Sequence, residues 1–255
     1  MTRGFVIMAQ DIDNSNTYYN CAKALQGSIQ RIMPDANVTI ITTAMLPHGD
    51  QALGTNWKLQ NDWQVYDASP YDETIKLEAD MFMPRNIDHW WDVLTHKDIV
   101  VSSCIRNFKQ EISSIRAYRR FIDDNSLPDV YNSITYFKKS EIAKKFFEIV
   151  KDVFENWEEY KTTLKCNPNE IVTTDWTYAS ACHIMGVENT TMPTFNEMSM
   201  VHMKQFINDC PTENWTDTFV YECLPNQIRI QTVPQQYPFH YHIKSFSDKI
   251  LESMK

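Results

Sequence analysis

A chain of 255 residues with 43% apolar and 13% aromatic residues carries ample material for a packed interior, which excludes a disordered chain; its 5 glycines and 11 prolines form no linker and no internal repeat is apparent, so we expect one domain. The formal net charge of -9 excludes indiscriminate binding to nucleic acid, because the global field repels phosphates. No apolar run reaches the roughly 18 residues of a membrane span, Met1 to Gln10 has no signal-peptide pattern, and the cysteines form no CxxC pair, so we expect a cytoplasmic protein with reduced thiols and no membrane partner.

Gly4 to Gln10 is an apolar run that predicts a buried first strand running into the polar stretch DIDNSN. From Thr17 to Met33 the apolar positions Tyr18, Cys21, Leu25, Ile29 and Ile32 recur at three and four, with Asn16 as N-cap and Pro34 as stop. Val38 to Thr42 then predicts a second strand. Strand, helix, strand is the unit of a parallel sheet, and it sets the expected class as α/β.

Asn56 to Ser69 reads as a helix, followed by an apolar strand, a short helix near Asp88 to Leu94, a strand over Asp98 to Ser103 and an amphipathic helix near Ile112 to Asp123. The run Tyr131 to Phe137 precedes the clearest helix, Ser140 to Tyr160, with Ser140 as its N-cap. Thr173 to Met185 reads as helical. Beyond it, short runs such as SMVHM and PFHYHIK alternate in the manner of strands.

Chemistry concentrates in Glu73 to Pro84, where an apolar strand presents Glu78 and Asp80 two residues apart, a spacing that places both carboxylates on one strand face. Carboxylates at the carboxyl end of a sheet strand lie where open α/β sheets bind ligands, and such hard oxygens suit Mn²⁺ or Mg²⁺ on a diphosphate. The bland alternative is a solvated pair in a loop. His240 and His242 share the same period of two, with Lys244 beyond them, and His202 with Lys204 forms a rival pair. Lys58 at a helix start opposes the helix dipole and so wants an anionic partner, a donor phosphate or Asp80. Asp175 at a helix start is equally a cap or a catalytic neighbour.

In order along the chain, Lys58-Leu59, ETIKLEAD, Asn86-Ile87-Asp88, Tyr131 to Ser140, Thr174-Asp175-Trp176 and His240 to Lys244 resemble the motifs of the glycogenin-like family of nucleotide-sugar glycosyltransferases. This chain departs from them with Glu78 for Asp, Ile134 for Gly and Trp176 for Gln. The resemblance implies a GT-A-type mixed sheet flanked by helices. It also implies a donor half over about 1–104 and an irregular acceptor half over about 105–255, a nucleoside-diphosphate sugar as donor, and retention at the anomeric carbon. On the same basis Glu78, Asp80, His240 and His242 would hold the metal. Gln10, Lys58, Asp62 and Lys244 would meet the donor, and Asp175 and Asn132 would lie at the reacting sugar.

Arg106, Lys109, Arg116, Arg119 and Arg120 are interleaved with Phe108, Tyr118 and Phe121, a combination that grips phosphate backbones or forms an ordinary solvated face. A general likeness to small glycosyltransferases of DNA phages extends the expectation to a DNA acceptor, 5-hydroxymethylcytosine. Two alternatives stay open. A nucleotidyltransferase uses similar acidic ligands, although DIDNSN lacks the glycine-rich basic loop; a non-catalytic sugar-nucleotide or nucleic-acid binding protein would follow if Glu78 weakens the metal site.

Overall fold

The computed structural model describes residues 1–11, 15–52, 58–115, 119–167 and 169–255. The chain opens with strand β1 (Arg3–Ala9), helix α1 (Thr17–Ile32) and strand β2 (Val38–Thr42), and β1 and β2 pair in parallel. The cap of α1 is a departure from expectation: Asn16 makes no side-chain cap, and the Asp11 carboxylate accepts from the backbone N–H of Tyr18 at 2.6 Å and of Tyr19 at 3.3 Å. An acidic side chain there also meets the positive end of the helix. Lys58–Gln64 is a 3-10 helix that runs into the single α-helical turn α2 (Val65–Ala68), where a longer helix was expected; the start of that expectation lies outside the described residues.

Next come β3 (Glu73–Glu78), β4 (Met81–Phe82), α3 (His89–Leu94), β5 (Ile99–Ser102) and β6 (Ile105–Arg106). The amphipathic helix predicted from Ile112 is reduced to α4 (Arg120–Asp124), since Ile112 instead bridges Arg106 antiparallel and 116–118 lie outside the described residues. Strand β7 (Tyr131–Lys138) leads to α5 (Glu141–Glu155), whose first turn is capped by Ser140 Oγ accepting from Ala143 N, as predicted. The helix breaks at Asn156 and resumes as α6 (Trp157–Thr163).

Helices α7 (Thr174–Met185) and α8 (Val187–Thr190), strand β8 (Met200–His202), helix α9 (Gln205–Asn208) and the meander β9 (Tyr221–Leu224), β10 (Gln227–Ile230), β11 (Val233–Pro234) follow. Strand β12 (Phe239–His240) and helix α10 (Phe246–Ser253) complete the elements. The strand expected over PFHYHIK is thus only two residues long.

Five strands form the main sheet in the order β2-β1-β3-β7-β5, with β7 antiparallel to both neighbours. All but the edge strand β2 are buried on both faces, which is why β1 reads as an unbroken apolar run. Phe5 and Ile7 enter one core with α1, α3 and α10; Val6 and Met8 enter the other with α5 and α7. A second sheet, β4-β12-β8-β6, stands beside the first core. Between β3 and β4 the chain passes from the main sheet to this one through just two residues, Ala79 and Asp80, so Glu78 ends one sheet and Asp80 borders the other. That seam positions the site.

Candidate active site

A cavity of about 600 Å³ opens at the carboxyl ends of β1 and β3. Gln10, Lys58, Asp62, Glu78, Asp80, His240, His242 and Lys244, eight of the residues singled out in the sequence, line it, together with Tyr18 and Lys76. Asn132 and Asp175 do not line it.

Glu78, on the last pair of β3, is held from β7: Asn132 Nδ2 donates to Oε1 at 3.2 Å and Ser133 Oγ donates to Oε2 at 2.9 Å. Asn132 therefore acts on a carboxylate. Asp80 is buried and lies beyond the strand, so the two-residue strand period is not what joins it to Glu78. His240 joins them, its Nε2 lying 3.0 Å from Asp80 Oδ2 and 3.3 Å from Glu78 Oε2. The Lys244 ammonium also pairs with Asp80 Oδ2. Burial opposes ionisation of Asp80, but the His240 ring hydrogen-bonded against it and the Lys244 ammonium outweigh it and hold the carboxyl well below the usual range. For Lys244 burial likewise opposes the charge, and Asp80 reverses the balance and raises its pKa.

His242 reaches the group by a different route from the one its spacing suggested. The strand ends at His240, and His242 adopts a left-handed backbone with φ of 59°, which stacks its ring on His240 at 4.1 Å between centroids. His202, the rival candidate, belongs to the same group: its Nδ1 lies 3.2 Å from Nδ1 of His240. Burial, reinforced by the neighbouring imidazoles, pushes the pKa values of His202 and His242 well below the usual histidine range.

Glu78, Asp80 and His240 offer two carboxylate oxygens and one nitrogen within 4.8 Å of one another. Metal–oxygen distances of about 2.0–2.1 Å put neighbouring ligands of an octahedron about 3 Å apart, so the contacts of His240 with the two carboxylates suit a small divalent cation. Such a cation and the Lys244 ammonium compete for the same oxygen of Asp80.

Beneath the cavity lies a cluster that the sequence reading missed. Lys76, on the buried β3, donates to Asp62 Oδ2 at 2.8 Å and to the Asn132 carbonyl at 3.2 Å, and Tyr178 Oη donates to the same Asp62 oxygen at 2.5 Å. Burial, with Asp62 adding to it, pushes the Tyr178 hydroxyl well above the usual range. The available signal was Lys76 itself, since a lysine inside an apolar strand needs a buried partner. Asp62 is therefore committed to Lys76 and Tyr178 as well as facing the cavity.

Three further expectations change. Lys58 pairs with Asp50 rather than with Asp80. Asp175 is not the cap of α7, because Thr173 Oγ1 accepts from Trp176 N; the Asp175 carboxylate instead accepts from Arg119 Nη1 at 2.8 Å. The basic stripe is not a solvated face. Arg119 is buried, pairs with Asp129 and stacks on Tyr131; Arg106 bonds to Ser199 and to the carbonyls of Gln110 and Asn196; Arg120 is exposed and pairs with Asp124. Lys109 is exposed, and Arg116 lies outside the described residues.

No protein-family model and no curated protein sequence matches the chain. Solved structures do. An active-site mutant of LgtC superposes over 98% of this chain and 95% of its own, with a TM-score of 0.51 and 11% identity. The glycosyltransferase GlyE of Streptococcus pneumoniae superposes over 97% of this chain with a TM-score of 0.50 and 9% identity. The fold is of the GT-A type. The chain spans 60% of the GlyE structure's length and 39% of that of the bifunctional glycosyltransferase WbbM, which it matches at 12% identity and a TM-score of 0.45. All six cysteines are unpaired, and among the described residues no helix is long and apolar enough to cross a membrane.

Proposed function

We propose that this chain is a glycosyltransferase that takes the sugar of a nucleoside-diphosphate sugar, a UDP-sugar first among candidates, and passes it to a hydroxyl acceptor. The observation that carries this reading is the convergence of Glu78, Asp80 and His240 with Lys58 and Lys244 on one cavity at the carboxyl ends of β1 and β3. The GT-A-type fold supports it, as LgtC and GlyE share that fold.

Transfer breaks the bond between the anomeric carbon and a diphosphate oxygen, and negative charge grows on the leaving group. Mn²⁺ or Mg²⁺ held by Glu78, Asp80 and His240 would supply charge neutralisation there. Asn132 and Ser133 hold Glu78 in place for it, so Asn132 is a positioning residue. Lys244 and Lys58 bring two further positive charges to the cavity wall, each now balanced by a carboxylate that a phosphate would displace. Gln10, fixed by Asn61 Nδ2 at 2.9 Å, and the ring of Tyr18 lie on the side where the nucleoside would rest. Asp175 reaches this region only through Arg119 and Tyr131, and we assign it to the acceptor side as a positioning residue.

With Arg106 and Arg119 turned inward and a net charge of -9, the reading favours an acceptor without a polyphosphate backbone over 5-hydroxymethylcytosine in DNA. A thermal-shift screen of nucleotide sugars with and without Mn²⁺ tests the whole proposal. A donor at 100 times its Kd adds about 2.7 kcal/mol, hence a rise in Tm of several degrees, and the rise requires both donor and metal. A panel of donors that leaves Tm unmoved overturns it.

A further inference from the structure

On the floor of the cavity one carboxylate oxygen is left over. Asp62, in the 3-10 helix Lys58–Gln64, receives Lys76 Nζ and Tyr178 Oη on the same atom, Oδ2, at 2.8 and 2.5 Å. Oδ1 receives no hydrogen bond from a described residue, and Asp62 lines the cavity. A carboxylate offers about four lone-pair sites, so roughly half of its accepting capacity is unspent at a buried position, where an unmet acceptor is costly.

Lys76 sets a donor beside it. An ammonium carries three protons; Asp62 and the Asn132 carbonyl take two, and Lys76 lines the same cavity. The pair therefore presents one acceptor and one N–H together, held from the 3-10 helix, β3 and α7. A hydroxyl group both donates and accepts, and one hydroxyl, or two on neighbouring carbons, answers both. Met8, Leu59, Ala79 and Ile171 make the surrounding wall apolar. A few polar groups set in an apolar cavity are what fix a ligand's orientation.

The spacing suits one sugar ring. Lys76 and Glu78 are two residues apart on β3, which places them on one face at about 6–7 Å along the strand. With a diphosphate at Glu78 and Asp80, the sugar it carries spans that interval and brings the ring edge remote from the anomeric carbon to the floor.

We propose that Asp62 Oδ1 and Lys76 recognise hydroxyls on that remote edge and so select hydroxylated donor sugars against their deoxy counterparts, an inference that rests on the glycosyltransferase reading. A site built to hydrogen-bond a hydroxyl rejects the analogue that lacks it, because its own buried groups are left unpaired.

The test is titration calorimetry on the full chain with Mn²⁺. UDP, GDP and ADP are titrated first, then the glucose, galactose and mannose esters of whichever diphosphate binds, then the 3-, 4- and 6-deoxy forms of the tightest ester. One deoxy form should bind the native chain roughly 10–100-fold more weakly than its parent, the scale of a hydrogen bond to a charged group. Asp62→Asn should weaken the parent by a similar factor, leave the free diphosphate within about twofold, and no longer distinguish the parent from that deoxy form. Far-UV circular dichroism checks the variant. Should it misfold, Asp62→Asn combined with Lys76→Met, which removes both buried charges together, decides by the same comparison. Equal losses for the ester and the free diphosphate, or deoxy forms that all bind the native chain as tightly as the parent, overturn the hydroxyl pair and leave the donor site standing. A chain that binds none of the diphosphates or esters overturns the glycosyltransferase reading, and this inference with it.

Discussion

Two charged clusters touch the same cavity, and they are satisfied to different degrees. In the floor, Lys76, Asp62 and Tyr178 are closed on one another: one carboxylate oxygen takes both donors, and Lys76 has the Asn132 carbonyl besides. At the seam between the two sheets, Asp80, His240, Lys244, His202 and His242 crowd donors and acceptors in excess of the protons that can link them. The first cluster shapes the cavity and contributes to stability. The second has Asp80 Oδ2 shared between His240 and Lys244, and on the proposed function it is the cluster that would exchange these contacts for a cation.

The contrast breaks most sharply at Lys76. Lys76→Met leaves Asp62 as a buried, half-partnered carboxylate and should cost about 3–5 kcal/mol, read as a lower urea midpoint at unchanged slope. Removal of the Tyr178 hydroxyl is milder, because Asp62 keeps Lys76; Tyr178→Phe should cost about 1.5–3 kcal/mol in the same measurement.

A smaller effect should come from the seam cluster through pH. Burial depresses the pKa values of His202 and His242 in the folded chain, so below the unfolded value of about 6.5 the unfolded chain binds more protons and stability falls as pH falls. For metal-free protein we expect stability to fall as pH drops below about 6.5, by at most about 1.4 kcal/mol per pH unit for each ring. In His202→Gln that slope should flatten, as urea midpoints at pH 7.5, 6 and 5 would report. Asp80 contributes in the same direction only at more acid pH, below about 4, where its depressed carboxyl begins to lose its charge advantage.

The same two clusters mark what the sequence could convey. The unit from β1 to β2, the strand carrying Glu78 and the helix capped by Ser140 were legible because each depends on local periodicity and local caps. Glu78, Asp80, His240, His242 and Lys244, grouped in the sequence by spacing and family resemblance, line one cavity, although the joining device is the turn between two sheets together with a left-handed residue. Partners distant in sequence stayed hidden. Asp62 finds Lys76 and Tyr178, separations of 14 and 116 residues. Arg119, read as part of an exposed helical stripe, is drawn inside by Asp129 and Asp175, and no periodicity encodes that. Helix α10 lies beyond the last element predicted from the sequence, which ends at Lys244.

The central claim is that the seam cluster serves a metal-assisted donor site. Its most direct test is release of nucleoside diphosphate from a nucleotide sugar, measured with Mn²⁺, without it, and in Asp80→Asn. The account predicts slow release by the native chain even without acceptor, dependence on the cation, and a fall of roughly 10³-fold in Asp80→Asn, on the scale of several kcal/mol for a lost metal ligand. Release that proceeds equally without Mn²⁺ and in Asp80→Asn, or no release from any donor, would contradict it.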